Sequence, residues 1–283
     1  MGDHYIPQYY LSGFASSENY MVWVYEKGGL LKFQSQVKNI AHETNYYSPE
    51  VERYLANEIE GPANSVIKKI RDRKQLTQSE KEILAIYMVV MLKRVPQSKI
   101  RMKKTAPVVI QSLQQKWDKE ISKLILENPS RTELLEKRRV EIKANFEKYS
   151  KNIPKDFWLD LIPPERTPNI VKVIPEMRWL FLTCEKFPAF LTCDNPVFYF
   201  QGIGVGKPES EITFPISSNI VLWATWRSNI QEGYSPIKNQ AIKEINRRTA
   251  TNATRFIYYA KDEAWIPRFI NKQEHQLNLF GNF

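Results

Sequence analysis

Few residues of this sequence are equipped for proton transfer or metal ligation, and their settings narrow the chemistry. Of three histidines, His4 lies in an Asp-His-Tyr-Ile-Pro segment, His42 precedes Glu43, and His275 lies in a polar C-terminal stretch. Pro7 disfavours helical backbone at the residue before it and so holds the chain after His4 extended. A fixed imidazole, titrating nearest neutrality, suits general acid–base catalysis or metal ligation; the same ring would equally serve by bonding a backbone carbonyl. His42 reads as a loop residue and His275 as a solvated one. Glu52 and Glu60 are eight residues apart, which on a continuous helix leaves them about 80° apart, on neighbouring faces. Glu60 falls at a helix end beside Gly61, where the negative pole disfavours a carboxylate unless a cation is close. Arg94, at the end of another helix before Pro96, supplies one. The two are either a catalytic couple or an ion pair locking two helices. Asp194-Asn195-Pro196 follows an apolar strand; short polar side chains there can enter a cleft and bind metal or activate water, and Asx-Pro is equally an ordinary turn former. His4, Glu60, Arg94, Asp194 and Asn195 are therefore the candidate catalytic residues, with Glu60 and Asp194 as candidate ligands of Mg²⁺ or Mn²⁺. Cys184 and Cys193 read as packing residues, not nucleophiles.

The elements that must position these groups follow from periodicity. Residues 20–25 (YMVWVY) are aromatic and β-branched and turn at Glu26-Lys27-Gly28-Gly29 into residues 30–34, a β-hairpin. Ser48-Pro49-Glu50 opens a helix that carries Val51, Leu55 and Ile59 on one face and reaches Glu60; Gly61-Pro62 interrupts it, and Val66, Ile67 and Ile70 resume the spacing. Thr77 and Glu80 form a capping box ahead of residues 83–92, which are apolar on every side and predict a central buried helix. Residues 108–149 read as two charged amphipathic helices joined at Asn128-Pro129-Ser130. Beyond Pro154, short apolar segments at 179–184, 190–192, 197–200, 212–216 and 220–226 predict an antiparallel sheet, followed by a helix over 238–251 and a strand over 256–259. The fold class is α+β: a mainly helical centre, an N-terminal β-hairpin and a C-terminal antiparallel sheet. No GxGxxG, GxxxxGK[ST] or GxSxG signature is present in its proper setting.

Composition bounds the class. The 283 residues include 41 Lys plus Arg against 31 Asp plus Glu, a formal charge of +10, with 42% hydrophobic and 12% aromatic residues. That is ample for a core and excludes disorder and collagen. The apolar run at 83–92 is half the roughly 20 residues a membrane span needs, so the expectation is a soluble cytoplasmic protein with no membrane partner. Two cysteines exclude a disulfide scaffold or a four-thiolate zinc site. Between Lys68 and Lys155 stand 23 Lys or Arg and 10 Asp or Glu, so the basicity is regional. Lys68, Lys69, Arg71, Arg73, Lys93, Lys99, Arg101, Lys103 and Lys104 are the candidate nucleic-acid contacts, because neutralising phosphates releases counterions. Solvated helix faces explain the same charges equally well.

The stretch HYIPQYYLSGF at 4–14, followed in order by KNIAHETNYYSPEVERYLANEIEG at 38–61, KRVP at 93–96, FLTCDNPV at 190–197 and ITFPIS at 212–217, resembles the DUF4238 family, a domain of unknown function. The resemblance covers nearly the whole chain and implies a single domain over 1–283, with the basic hairpin at 108–155 as an insertion. It points to His4, Pro7, Tyr47, Glu52, Glu60, Arg94, Asp194, Asn195 and Pro196. Two functional expectations follow. The first is a phosphodiester-cleaving enzyme, RNA favoured, of a bacterial defence or toxin-like system: His4 is acid or base, Glu60 and Asp194 hold the metal, Arg94 steadies phosphate charge, and the basic helices steer the polyanion. The second is a non-catalytic binding or regulatory module whose motifs maintain the fold and whose basic face docks nucleic acid, a protein partner or another copy of the chain.

Overall fold

Strand alternation and helix capping account for most elements of the chain, seen in a computed structural model that describes residues 2–16, 19–152, 159, 169–185, 189–272, 275 and 277–280. These residues form two compact units, Met1–Val95 with Leu161–Phe283, and Pro96–Asp160. In the first unit the predicted hairpin is β2 (Met21–Glu26) and β3 (Lys32–Gln36), with Tyr25 opposite Lys32. It is not a separate terminal piece. β11 (Phe256–Tyr259) pairs with β2, and β6 (Thr192–Cys193) with β11, giving a four-stranded antiparallel sheet that joins both ends of the chain. A second sheet has the order β10-β5-β9-β8-β7, from Gly233–Pro236, Arg178–Thr183, Ile220–Thr225, Glu211–Ser217 and Phe198–Tyr199. Its β10 runs parallel to β5, so the expected all-antiparallel sheet is in fact mixed. The expected strand at 190–192 contributes Thr192 to the first sheet, not to this one.

Every residue of β8 and β9 is buried, because both faces of this sheet are covered. On one face Leu182, Val221 and Trp223 meet Ala241, Ile242 and Ile245 of α8 (Asn239–Asn252). On the other, Phe214 stacks on Tyr10 of α1 (Gln8–Ser12), ring centroids 5.2 Å apart, and lies 6.3 Å from Tyr87 of α4 (Gln78–Arg94). The far end of α8 supplies Ala250 to a cluster with Tyr25, Cys193, Ile257 and, from α9 (Trp265–Ile270), Ile266 and Ile270. The fold is α+β.

Ser48 caps α2 (Pro49–Tyr54) as expected, and Thr77 with Glu80 forms the expected capping box on α4, whose buried side chains run from Leu84 to Arg94. Gly61-Pro62 does not break the chain's helical course. Residues Leu55–Glu60 wind as a π-helix, and α3 (Gly61–Arg71) continues from it directly. The wider turn gives the Gly61 N–H a partner at the Ala56 carbonyl and lets the proline ring follow without meeting the carbonyl four residues back.

The second unit is a helical hairpin, α5 (Pro96–Glu127) and α6 (Thr132–Lys151). It starts twelve residues before the boundary expected at 108, since Pro96 opens the helix and the interior Pro107 does not end it. Its core is thin: in α6 no residue is buried, and in α5 only Ser98, Ala106, Ile110 and Ile121 are. The first unit also holds the short β1 (Asp3–His4), β4 (His42–Glu43) and α7 (Asn169–Val173). Among the described residues no helix is long and apolar enough to cross a membrane.

Candidate functional site

Arg94 gathers the N-terminal motif residues. Its side chain is 1% exposed, and each of its three nitrogens is used. Nε donates to the Tyr47 hydroxyl at 3.1 Å, one terminal nitrogen to Glu60 Oε1 at 2.6 Å, and the other to the His4 carbonyl. The Arg94 carbonyl accepts from the Tyr46 hydroxyl at 3.0 Å, and the Tyr47 amide donates to Asp3 Oδ2 at 3.0 Å. Burial alone lowers the pKa of Arg94, but Tyr47 and Glu60 outweigh it and leave the guanidinium above its ordinary range. Position explains the convergence: α4 ends at Arg94 because Pro96 follows, and the π-wound turn ends at Glu60. Residues in a π turn advance by less than in an α turn, so Glu52 and Glu60 fall closer to one face than a regular helix allows.

His4 is joined by a partner that sequence reading places in a loop. β1 pairs with β4 so that His4 lies opposite His42, ring centroids 5.2 Å apart. The His4 Nε2 meets the Lys38 carbonyl at 3.2 Å; it carries the proton, and Nδ1 is left as the acceptor. Burial, then the neighbouring His42, holds the His4 imidazole below its ordinary pKa. A side chain at Gly2 would overlap the His42 ring, whose Nδ1 is buried without a hydrogen-bond partner among the described residues. Glu52 Oε2 is buried and equally unpartnered, and burial raises that carboxyl's pKa against the lowering pull of Arg94. Ala41 and Asn45, flanking β4, both have φ of 54°, a left-handed conformation costly for a residue with a Cβ. No local signal in the sequence announces His42: its role depends on strand pairing across 38 residues.

Asp194 and Asn195 stand apart from this network. Asp194 is 3% exposed, and its carboxylate accepts from the amides of Thr254 at 2.8 Å, Arg255 at 2.7 Å and Phe256 at 3.1 Å. It clamps the entry to β11. Burial still raises its pKa above the ordinary value despite those three bonds. Asn195 and Asn252 each donate to the other's backbone carbonyl, at 3.3 Å and 2.6 Å. The turn-forming reading of Asp194-Asn195-Pro196 is the one this geometry favours, and its carboxylate has little capacity left for a cation. Among the described residues no group of three or more His, Cys, Asp or Glu could hold a metal ion. The two expected ligands of Mg²⁺ or Mn²⁺ are each engaged within the chain, Glu60 with Arg94 and Asp194 with three backbone amides. Tyr5, next to His4, is the link between the two regions: burial, then the charge of Asp194, raises its phenol well above the ordinary range.

The candidate nucleic-acid contacts divide. Arg71 is a structural residue: its guanidinium donates to the carbonyls of Tyr9 at 3.2 Å, Tyr10 at 3.0 Å and Ile216 at 3.2 Å, tying α3 to α1 and β8. A Cβ on Gly13 would strike it and the Ile216 carbonyl. Lys69 pairs with Glu80 at 2.5 Å and Arg73 with Glu185 at 2.6 Å. Lys93 is half-buried, and burial lowers its pKa; Lys99 is half-buried as well. Lys68 of the first unit, and Arg101, Lys103 and Lys104 of the second, are exposed. His275 is not solvated as expected, since its ring packs against Phe269 at 4.8 Å. Cys193 is buried and free, with its thiol raised by burial and then by Asp194, as a packing residue should be.

No curated protein and no solved structure matches the chain. The model of a family described as a protein of unknown function, DUF4238, matches residues 3–263, which takes in the Arg94 network, the Asp194 clamp and all three sheets. The chain belongs to the DUF4238 family.

Proposed function

We propose that this protein is a polyanion-binding module whose partner class is nucleic acid. One observation carries the reading. From residue 83 to residue 117 the sequence holds seven Lys or Arg and no Asp or Glu, and in the hairpin unit Arg101, Lys103 and Lys104 are exposed on a single helix. Three close cations with no carboxylate among them keep their field for an outside anion. The test is binding of a short single-stranded RNA and of a duplex across a salt series. Replacing Arg101, Lys103 and Lys104 together by Gln weakens binding of both and lowers the salt slope by roughly one for each phosphate no longer neutralised. Equal affinity and slope in parent and variant would refute the reading.

A hydrolytic role keeps one specific observation, the His4 and His42 rings side by side with Glu60 in the same network. The role rests on the His4 Nδ1 as base, with each nitrogen of Arg94 already bonded within the chain, to Tyr47, Glu60 and the His4 carbonyl. RNA incubated with the protein decides it: cleavage lost in His4→Gln at unchanged melting temperature supports it, and intact RNA ends it.

A further inference from the structure

A cavity of about 470 Å³ opens beside the N-terminal motif, lined by Gln8, Tyr9, Ser12, Asn19, Tyr20, Gln36, Val37 and Lys38. The short helix α1 divides its residues between two tasks. Tyr10 and Leu11 enter the core, while Gln8, Tyr9 and Ser12 face the cavity. The back wall is pre-set: the Arg71 guanidinium lies 5.1 Å from the centre of the Tyr9 ring and is itself bonded to the carbonyls of Tyr9, Tyr10 and Ile216. Tyr20, which also lines the cavity, is 61% exposed and is held at φ 52°, with its carbonyl accepting from the Val37 amide at 3.1 Å. The Tyr20 ring is thus left outside the core while its backbone is fixed beside the β2–β3 pairing, so the ring stands ready at the cavity. Among the described residues the side-chain amides of Gln8, Asn19 and Gln36 have no hydrogen-bond partner.

We infer that this cavity receives a nucleobase, with the tyrosines as stacking faces and the carboxamides of Gln8, Asn19 and Gln36 reading its edge. Each carboxamide offers a donor and an acceptor, as base edges do, and an aromatic face accepts any base plane. The Lys38 ammonium at the rim suits the attached phosphate. The same Lys38 bonds His4 through its carbonyl, so the cavity adjoins the His4 and His42 pair. The inference rests on the nucleic-acid reading above and sharpens it to unstacked bases, whether in a single strand or in a free nucleotide.

The experiment uses the full chain with three probes: a short single-stranded RNA, the duplex of the same sequence, and adenosine 5′-monophosphate. Tyr20→Ala combined with Gln8→Ala removes two exposed side chains and leaves the melting temperature unchanged. Single-strand affinity is expected to fall by about tenfold while duplex affinity holds, and Tyr20→Trp is expected to restore it. Single-strand binding equal to the parent's overturns the inference. Should the parent bind neither nucleic acid, the polyanion reading fails on its own, and the nucleotide arm decides: binding of the monophosphate that Tyr20→Ala and Gln8→Ala abolish upholds the base site, and no binding overturns it.

Discussion

At the scale of residues, the side chain that organises the N-terminal motif is Arg94, through one bond from each of its three nitrogens. A buried guanidinium is tolerated because three acceptors of the same chain surround it, so removing one leaves a desolvated charge. Glu60→Ala is expected to cost about 3 kcal/mol in urea unfolding; a change below about 1 kcal/mol, the worth of a surface pair, would show the bridge to be incidental. His4 carries a pH signature. Its imidazole is held below its ordinary value of 6.5, so the folded chain binds fewer protons than the unfolded one. The stability this contributes is complete above about pH 6.5 and is lost as pH falls toward the folded-state value. Between about pH 7.5 and 5.5 the melting temperature of the parent should drop further than that of His4→Gln. The residue types at 4, 52, 60 and 94 could be singled out from sequence; that Arg94 is a hub could not, because only its burial and its bonds to Tyr47, Glu60 and the His4 carbonyl show what surrounds it.

At the scale of elements, the C-terminal stretch is a part of the fold that sequence alone leaves looking like a tail. Glu211 on β8 and Glu244 and Arg248 on α8 are fully buried, with Arg248 bonded to Glu211 at 2.8 Å and to Glu244 at 3.3 Å. The cluster is completed by residues 277–280: the Asn278 amide donates to Glu244 at 2.9 Å, the Phe280 amide to Glu211 at 2.9 Å, and the Phe280 ring lies 4.3 Å from the Arg248 guanidinium and 5.1 Å from Trp223. Phe280→Ala is expected to destabilise by about 3 kcal/mol, since it opens a cavity over buried charges. Unfolding indistinguishable from the parent's would mean that the segment is not seated there in solution. The π-wound turn is the converse case: Gly61-Pro62 is plain in the sequence as a helix breaker, yet its consequence is a change of winding, because the helix before and the helix after share one buried face through Leu55, Ile59, Val66 and Ile67.

At the scale of the molecule, the two units differ in how they are held. The first has two larger sheets and a two-stranded one with the helices on them, α4 being mostly buried from Leu84 onward and β9 along its whole length; the second is a pair of helices with four buried side chains, all in α5. A thin core means easy local opening. Amide hydrogen exchange should therefore be faster across 96–151 than in α4, β8 and β9, and equal protection in both would require a partner surface on the hairpin. Large apolar side chains such as Trp117, Leu126 and Val140 are exposed on that unit, which also carries the exposed Arg101, Lys103 and Lys104 on which the polyanion proposal rests.

What the sequence determined by itself was local: helix caps at Ser48 and Thr77, the β2–β3 hairpin, the amphipathic hairpin, the regional charge and the motif order that marks the family. Each depends on neighbours within a turn or two, where propensity and periodicity act. Tertiary structure decided which polar groups remain available. Asp194, read either as a cleft residue or as part of a turn, and Arg71, read as a nucleic-acid contact, tie segments together, while His42, read as a loop residue, lies in a strand opposite His4. Whether a charge faces water or a carbonyl is set by chain segments that lie far apart in sequence, and no local pattern encodes that meeting.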